Sequence, residues 1–290
     1  MDDQRALAER FEEHRPRLRA IAYRMLGSLG EADDAVQETW LRLSRTGAAA
    51  VENLGGWLTT VVTRVSLNVL RARSTRGEEP LELRLPEPIV DRADGVDPEH
   101  EVVLADAVGL ALLVVLETLT PPERVAFVLH DTFAVPFDEI ARILDRTPEA
   151  TRQLASRARR RVRGVAPPPD PDVSVQWRAL DAFLAAAREG DFDALVAVLA
   201  PDVVLRADSG HGVDEVRGAE QVAGRALMWR RVELTIQRAL INGSAGLVSM
   251  RDGRPFSVGA FTAVGGRILE IVILADPARV AELDLGALAP

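Results

Sequence analysis

The chain has 290 residues, of which 44 are acidic, 35 are basic, 4 are His and none is Cys. This length favours more than one domain, and a hydrophobic share of 47% excludes a wholly disordered chain. No apolar run approaches the roughly 18 residues of a membrane span, and the N-terminal segment is charged from its second residue, which argues against a secretory signal. Without Cys no disulfide can form, so we expect a cytoplasmic protein.

Charge is distributed unevenly along the chain, whose formal net charge is -9. Residues 81–116 hold two Arg and eight acidic residues, whereas residues 150–165 hold six Arg and no acidic residue. All basic residues are Arg, a bias typical of GC-rich genomes, and the planar Arg fork binds phosphate and guanine. A strongly positive stretch inside an acidic protein favours an anionic partner such as nucleic acid.

Proline-rich segments predict where the domains meet. Four prolines between residues 77 and 99 disfavour a helix there, and Pro167–Pro169 with Pro171 form a stiff spacer. We therefore expect the following division of the chain: a domain over 1–76, a linker over 77–99, a domain over 100–165, a linker over 166–171 and a domain over 172–290.

Apolar residues at three- and four-residue intervals predict amphipathic helices in the first domain. The first helix spans about residues 7–25 and is interrupted at Gly27 and Gly30. The second carries an apolar repeat over residues 35–43 that includes Leu41, and the third begins near Trp57. The opposite face of the third helix and the residues past its end carry a polar and basic strip: Arg64, Asn68, Arg71, Arg73 and Arg76.

The second domain is predicted to contain a helix-turn-helix. Thr120, with proline in the first turn, starts a helix that extends to about Phe133. A short helix over 137–144 is followed by a tight connection and by Thr147, which caps a basic helix with Pro148 at its first position. This order is typical of a helix-turn-helix, whose second helix enters the major groove of DNA.

The basic helix is predicted to have a buried face and a DNA-binding face. The helically spaced residues expected to be buried are Thr151, Ala155, Ala158 and Val162. Arg suits guanine and Gln suits adenine, so Arg152, Gln153 and Ser156 are expected to face base edges. The residues expected to meet mainly phosphates are Arg157, Arg159 and Arg160. A merely solvated surface helix is the alternative, which six Arg without an acidic residue disfavour.

The third domain is predicted to be α+β. Helices are expected near 177–187, 192–199 and 219–228, with a strand at 203–206. Four alternating runs follow, over 232–241, 245–250, 256–264 and 267–274. The turns Asn242-Gly243, Asp252-Gly253 and Gly265-Gly266 between them are hairpin signals, so we expect a curved antiparallel sheet.

Three blocks of sequence resemble bacterial extracytoplasmic-function (ECF) sigma factors. They are residues 31–43, the helix from Gly56 to Arg71, and the helix-turn-helix. The first domain resembles sigma region 2 and the second resembles region 4, which are both all-α. The motif Leu85-Pro86-Glu87-Pro88 resembles the linker motif of the SigJ-like subgroup, whose C-terminal domain is a SnoaL-like (NTF2-like) cone-shaped α+β barrel.

The resemblance implies roles for residues of the first two domains. Core RNA polymerase would be bound through its β′ clamp helices and β flap, and the helix face implied for the clamp carries Asp33, Asp34, Gln37, Glu38 and Arg42. The helix-turn-helix would read the −35 promoter element. Asn53 and its loop would hold a flipped base of the −10 element, which costs a few kcal/mol to unstack. The strip from Arg64 to Arg76 matches the helix that meets this element.

The loop Asp208–Gly212 matches a glycine-rich motif of the subgroup. With Leu85, Pro86, Glu87 and Pro88, the loop residues Asp208, His211 and Gly212 are therefore implied to make a regulatory contact. A conical cavity would also suit a small-molecule ligand, or catalysis by an Asp base. The catalytic candidates are Asp208, His211, Asp214 and Asp252, of which the last lies in a predicted turn.

These observations favour an alternative sigma factor that carries out no chemistry, needs no metal or cofactor, and is regulated in cis by its third domain. Two alternatives stay open. One is a ligand-responsive DNA-binding repressor that never contacts polymerase, and the other is an NTF2-like isomerase or cyclase with a helical appendage.

Overall fold

A computed structural model describes residues 2–46, 52–75, 85–96, 100, 109–163 and 168–285. The chain forms two compact units. The first comprises residues 1–81, 98–106 and 115–166, and the second comprises residues 82–97, 107–114 and 167–290. The first unit therefore holds most of the two helical segments that we expected as separate domains, while residues 109–114 and the described part of the linker belong to the second. No helix in the described ranges is long and apolar enough to cross a membrane.

The N-terminal segment forms three helices, α1 (Asp2–Leu26), α2 (Leu29–Thr46) and α3 (Leu54–Thr75). Gly27 ends α1 with a φ of 71°, which glycine adopts without strain, and its N–H donates to the carbonyl of Tyr23 at 2.8 Å. The predicted helices are confirmed. Leu41, which belongs to the apolar repeat of the second helix, is 40% exposed.

The next segment contains α4 (Leu110–Glu117), α5 (Pro121–Phe127), a π-helical turn (Val128–Thr132), α6 (Phe137–Leu144) and α7 (Pro148–Arg163). The predicted helix to about Phe133 is thus completed by the π turn. Asp145 ends α6 in the left-handed region, with a φ of 57°. The face of α7 that we expected to pack is buried at each of its positions: Thr151, Ala155, Ala158 and Val162.

Within the first unit, arginines join α1 to the π turn and to α5. Arg17 donates to the carbonyl of Phe133 at 3.0 Å, and the guanidinium groups of Arg17 and Arg24 lie 5.5 and 4.9 Å from the centre of the Phe133 ring. Arg124, which is 3% exposed, pairs with Glu117 at 2.8 Å and also donates to the carbonyl of Met25 at 2.8 Å. These contacts hold the two helical segments together.

The second unit consists of a mixed sheet with helices. The helices are α8 (Val173–Glu189), α9 (Phe192–Val198), α10 (Ala219–Met228) and α11 (Pro277–Glu282). The strands are β1 (Val90–Arg92), β2 (Leu199–Asp208), β3 (Val213–Arg217), β4 (Thr235–Ile241), β5 (Ser244–Arg251), β6 (Arg254–Val264) and β7 (Arg267–Leu274). Their order is β1-β4-β5-β6-β7-β2-β3. The β2–β7 pair is parallel, and the other pairs are antiparallel.

The hairpins that join β4 to β7 follow the sequence prediction. Asn242 and Gly243 have φ values of 51° and 76°, and the turns at Asp252-Gly253 and Gly265-Gly266 also have positive φ at both residues. Positive φ at both central positions suits the right-handed twist of the paired strands. The α+β architecture is confirmed, whereas β1, β3 and α11 were not predicted, because they are short and lack a clear periodic pattern.

The described part of the linker, residues 85–96, is built into this sheet. Val90 pairs with Ile241, and Ile89 exchanges two hydrogen bonds with Asn242. The N–H of Ile89 donates to Asn242 Oδ1 at 3.1 Å, and the N–H of Asn242 donates to the carbonyl of Ile89 at 2.8 Å. Leu85 and Ile89 are each 1% exposed. The linker therefore supplies an edge strand of the second unit.

A buried charge network lies on the face of the sheet opposite to the one that packs against the helices. Leu205 of β2 belongs to the core with α8, so its neighbour Arg206 points to the opposite face. There Arg206 pairs with Glu270 and donates to Glu215 at 2.9 Å. Glu270 Oε2 has no hydrogen-bond partner within the described residues. Burial raises the pKa of Glu270 to about 7, even though Arg206 acts to lower it.

The raised pKa of Glu270 predicts a pH-dependent stability. Because the folded chain holds this proton more tightly than the unfolded chain, whose carboxyl titrates near 4.5, stability should fall as pH rises from about 4.5 through about 7. Glu270→Gln should remove this component, so the free energies of unfolding of wild type and variant should diverge with pH. Urea denaturation at pH 5 and pH 8 measures the difference, and parallel pH profiles would contradict the prediction.

Candidate nucleic-acid interface

The helix α7 presents a polar surface, and Thr147 caps the N-terminus of this helix. The N–H of Ala150 donates to the Thr147 hydroxyl at 3.2 Å, which caps the helix as the sequence predicts. Arg152, Gln153 and Ser156 are exposed on the first turns, as expected for residues that would meet base edges. These side chains share the N-terminal half of the helix, the half that leads into the major groove in helix-turn-helix proteins.

The carboxylate of Glu123 anchors α7. It is 5% exposed and accepts hydrogen bonds from the N–H and hydroxyl of Thr120, at 3.2 and 2.8 Å, which closes a capping box at the start of α5. The same carboxylate binds Arg157 at 3.1 Å and Arg161 at 3.2 Å. Burial acts to raise the pKa of Glu123, but the hydrogen bonds from Thr120 and Arg157 outweigh it and lower that pKa. The carboxylate is therefore ionised when it holds the helix.

The arginines expected to contact phosphates are placed differently from one another. Arg157 is held by Glu123, and Arg159 pairs with Asp131 at 2.5 Å. Arg160 is exposed and makes no ion pair within the described part of the chain. Arg160 is therefore the member of this set whose charge is fully available to an anion.

The side chain of Arg152 rests on an aromatic stack. Its guanidinium lies 5.7 Å from the centre of the Phe137 ring, and that ring stacks on His130 at 3.7 Å between centres. Arg152 also approaches Glu149 at 3.5 Å. The Phe137 ring thus supports the Arg152 guanidinium, a contact that the sequence did not predict because Phe137 and Arg152 lie on different helices.

Three residues of the polar strip on α3 lie on its exposed face. Arg64, Asn68 and Arg71 are exposed on this helix, and Arg64 donates to the carbonyl of Arg142 at 3.3 Å. Arg73 departs from the strip, because it pairs with Glu31 and donates to the carbonyl of Leu26 at 3.2 Å.

Asn53 and Arg76, also assigned to the −10 element, fall outside the bounds of α3. Asn53 is exposed, and its Oδ1 accepts the N–H of Gly56 at 3.0 Å, so it caps α3. Its carboxamide nitrogen takes no part in that bond. Arg76 lies outside the described residues.

The residues assigned to core polymerase share one side of α2. Asp33, Asp34, Gln37 and Arg42 are exposed and Glu38 is half-buried. Arg19 binds Asp33 at 2.8 Å and Arg42 binds Glu38 at 2.8 Å. The exposed Leu41 lies among them, so the surface is acidic with an apolar centre, which the apolar repeat alone did not indicate.

The second unit joins the linker to Asp208 through Arg279. Asp208, at the end of β2, is 6% exposed and accepts from Arg279 at 2.7 Å and from the N–H of Gly210 at 3.0 Å. Arg279 also donates to the carbonyl of Leu85 at 2.5 Å. The structure thus brings together two of the residues expected in a regulatory contact. Arg279 was missed, since a lone Arg near the chain end carries no recognisable signal.

The other residues of this predicted contact are spread more widely. Pro86 and Pro88 are buried and Glu87 is half-buried, whereas His211 is exposed and Gly212 adopts a φ of 100°.

Three of the catalytic candidates lie in different surroundings. The Asp208 carboxylate is occupied by Arg279, Asp214 lies 3.5 Å from Arg225, and Asp252 occupies the exposed β5–β6 turn. No group of three or more His, Asp or Glu residues able to hold a metal ion occurs in the described ranges.

Comparison with known proteins identifies the family. Sigma-70 region 2 matches residues 10–76, and sigma-70 region 4 matches residues 109–162. The ECF RNA polymerase sigma factor SigJ of Mycobacterium tuberculosis H37Rv is 39% identical over 276 residues, which cover 91% of this chain and 86% of that protein. The chain belongs to the ECF sigma factors.

Two further comparisons extend along nearly the whole chain. The probable ECF sigma factor SigI of the same strain is 34% identical over 271 residues, which cover 92% of each protein. The crystal structure of M. tuberculosis SigJ matches 96% of this chain and 99% of that one, with a TM-score of 0.77 and 34% identity. The expected family, the fold of two helical segments followed by an α+β domain, and the activity of an alternative RNA polymerase sigma factor are confirmed.

The anchoring role of Glu123 predicts that its removal destabilises the first unit of this ECF sigma factor. Glu123→Ala leaves Thr120, Arg157 and Arg161 without their shared acceptor, at a cost of about 2–3 kcal/mol. Native-state hydrogen exchange of the α5 and α7 amides measures this loss locally. Glu149→Ala, which removes an exposed partner of Arg152, is the matched control and should change protection little. Equal protection in both variants would contradict the anchoring role.

Proposed function

We propose that this ECF sigma factor directs core RNA polymerase to promoters by reading the −35 element with α7. The observation that carries the proposal is the division of α7 into an anchored face and an accessible face. Glu123 and Asp131 hold Arg157, Arg161 and Arg159 in ion pairs. Gln153, Ser156 and Arg160 are exposed without an ion pair among the described residues, and Arg152 has only the exposed Glu149 beside it. Bidentate Arg–guanine and Gln–adenine contacts supply base discrimination, and Arg160 supplies phosphate affinity.

The −10 element is read by α3 in this proposal. Arg64, Asn68 and Arg71 supply an exposed polar surface that suits backbone and base contacts near melted DNA. Asn53 contributes its carboxamide nitrogen, while its oxygen caps the helix. Arg73 acts through the fold instead, because its pairing with Glu31 fixes α3 against the start of α2. Arg76 stays in the proposed set by its match to the family motif.

Core polymerase is bound by α2. Asp33, Asp34, Gln37, Glu38 and Arg42 supply polar contacts for the clamp helices. Leu41 supplies an apolar anchor at the centre of the surface, as is common in protein interfaces.

The second unit regulates this activity through the linker. Residues 85–92 join the helical segments along the chain, so their attachment to the second unit restricts the span between α3 and α4. The attachment consists of β1 pairing, the two Ile89–Asn242 hydrogen bonds, and the Arg279 bridge between Leu85 and Asp208. A signal that breaks the bridge would release the linker.

The recognition assignment is tested with variants of the full chain bound to core polymerase. Arg152→Ala and Gln153→Ala should alter the base preferred at defined positions of duplexes selected from a random library, each by about 1–3 kcal/mol of discrimination. Phe137→Ala should act as a weaker form of Arg152→Ala, since it frees the Arg152 side chain. Phe137→Tyr should restore the preference.

Arg160→Ala is the matched control for this experiment. It should weaken binding to all sequences alike and reduce the slope of log affinity against log salt by about 0.9. A uniform loss for Arg152→Ala as well would refute the base-reading role.

The linker attachment predicts a specific effect of Arg279→Ala. Without its bridge, the backbone of residues 85–92 should exchange amide hydrogens faster, by about fivefold or more for the loss of two charge-assisted hydrogen bonds. Promoter-dependent transcription should change in parallel. Arg267→Ala, an exposed Arg at the start of β7, serves as control. Unchanged exchange in Arg279→Ala would show that Arg279 does not hold the linker.

A further inference from the structure

Two adjacent large apolar residues lie exposed where α10 ends. Met228 is 67% exposed and Trp229 is 47% exposed, the highest values for large apolar residues in the described ranges. Single exposed apolar residues are ordinary on protein surfaces, but neighbouring ones that include a Trp indicate an interaction site. Nothing in the proposed contacts to promoter elements or to the linker uses these residues.

The Trp229 ring is held in a defined position by the β5–β6 hairpin. It meets the Phe256 ring edge-on, with 6.1 Å between centres and an angle of 61°. The guanidinium of Arg251 lies 5.8 Å from the centre of the same Phe256 ring. Arg251 is also the cross-strand partner of Arg254, so both guanidinium groups extend from one end of the hairpin.

The arginines beside Trp229 differ in their pairing from most other arginines of the second unit. Residues 166–290 hold 12 Arg and 17 acidic residues. Several of these arginines are paired with carboxylates: Arg206, Arg217, Arg225, Arg238 and Arg279. Arg251 and Arg254 are exposed and make no ion pair with any residue that the structure describes. Asp252 lies in the turn between them, so this end of the hairpin still carries one more positive than negative charge beside an aromatic ring. Such a surface suits an anionic ligand that also has flat apolar groups.

We propose that Met228, Trp229, Arg251, Arg254 and Phe256, named here the Trp229 surface, bind single-stranded DNA. Bases stack on an exposed aromatic face whatever their sequence, while arginines bind the phosphates between them. In a duplex the base faces are covered by their neighbours, so an exposed Trp distinguishes single strands. The proposal rests on the proposed function, because promoter opening supplies such strands.

The test measures binding of a fluorescently labelled oligonucleotide of about 12 nucleotides to the full chain by anisotropy. Trp229→Ala should weaken binding by about fivefold or more, and Trp229→Phe, which keeps an aromatic face, should retain most of the affinity. Arg251→Ala combined with Arg254→Ala should lower the slope of log affinity against log salt by about 0.7 for each phosphate that these arginines bind. The same oligonucleotide in duplex form should respond little to Trp229→Ala.

Arg267→Ala, which removes one exposed positive charge outside the Trp229 surface, supplies a control. Arg267 pairs with Val264, which lies at the opposite end of β6 from Arg254. Its substitution should therefore leave binding unchanged. Ultraviolet cross-linking of the oligonucleotide to the wild-type chain provides a second measurement that does not depend on substitutions. Cross-linked peptides should include Trp229 or Phe256.

Two results would overturn the proposal. One is unaltered single-strand binding in the Trp229 and arginine variants, with cross-links confined to the helical unit. The other is a loss of core polymerase capture in these variants while single-strand binding stays intact, which would mark the surface as a protein contact. Duplex selection with Arg152→Ala tests the helix-turn-helix separately, so failure of either proposal is distinguishable from failure of the other.

Discussion

The carboxylate of Glu123 is the interaction on which the geometry of the recognition helix depends. It closes the capping box of α5 and, with the same two oxygens, binds Arg157 and Arg161 of α7. A buried carboxylate is stable only when such donors surround it. The N-terminus of α5, Glu123 and the two arginines of α7 therefore depend on one another. This anchoring explains why a helix with six Arg presents only part of its charge to DNA. Arg160 and Arg163 are the arginines of α7 that are exposed without an ion pair among the described residues.

Arginine has two distinct uses in this lysine-free chain. The buried Arg124 and the partly buried Arg279 each bind a carboxylate and a main-chain carbonyl at once, a task suited to five donors in a planar fork. Exposed arginines without acidic partners instead mark surfaces for anions, as on α7 and on the Trp229 surface. The net charge of -9 conceals this division, because most of the excess acid lies in residues 81–116 and 166–290.

The incorporation of the linker into a sheet is the physical basis of the regulation that we propose for the second unit. An edge strand is held by a few hydrogen bonds and can be released without unfolding the rest of the sheet. Three residues pair in β1, and the Arg279 bridge and Asn242 supply further polar contacts. Changes in these contacts would therefore weaken the attachment of the linker, whereas its full release would also expose the buried side chains of Leu85 and Ile89.

The sequence by itself determined the local elements and the family. Periodicity predicted α1 to α3 and α7, and residue types predicted the Thr147 cap and the three glycine turns. These features depend on residues close in the chain. It did not predict β1, the exposure of Leu41, the pairing of Arg73 with Glu31, or the capture of Arg157 by Glu123. Those features need partners distant in sequence. Arg279 and Leu85 are separated by 194 positions, and only the folded sheet brings that guanidinium to that carbonyl. The tertiary structure therefore decided which polar residues serve the fold and which remain accessible to DNA, because a charge is available for binding only where folding has not already paired it.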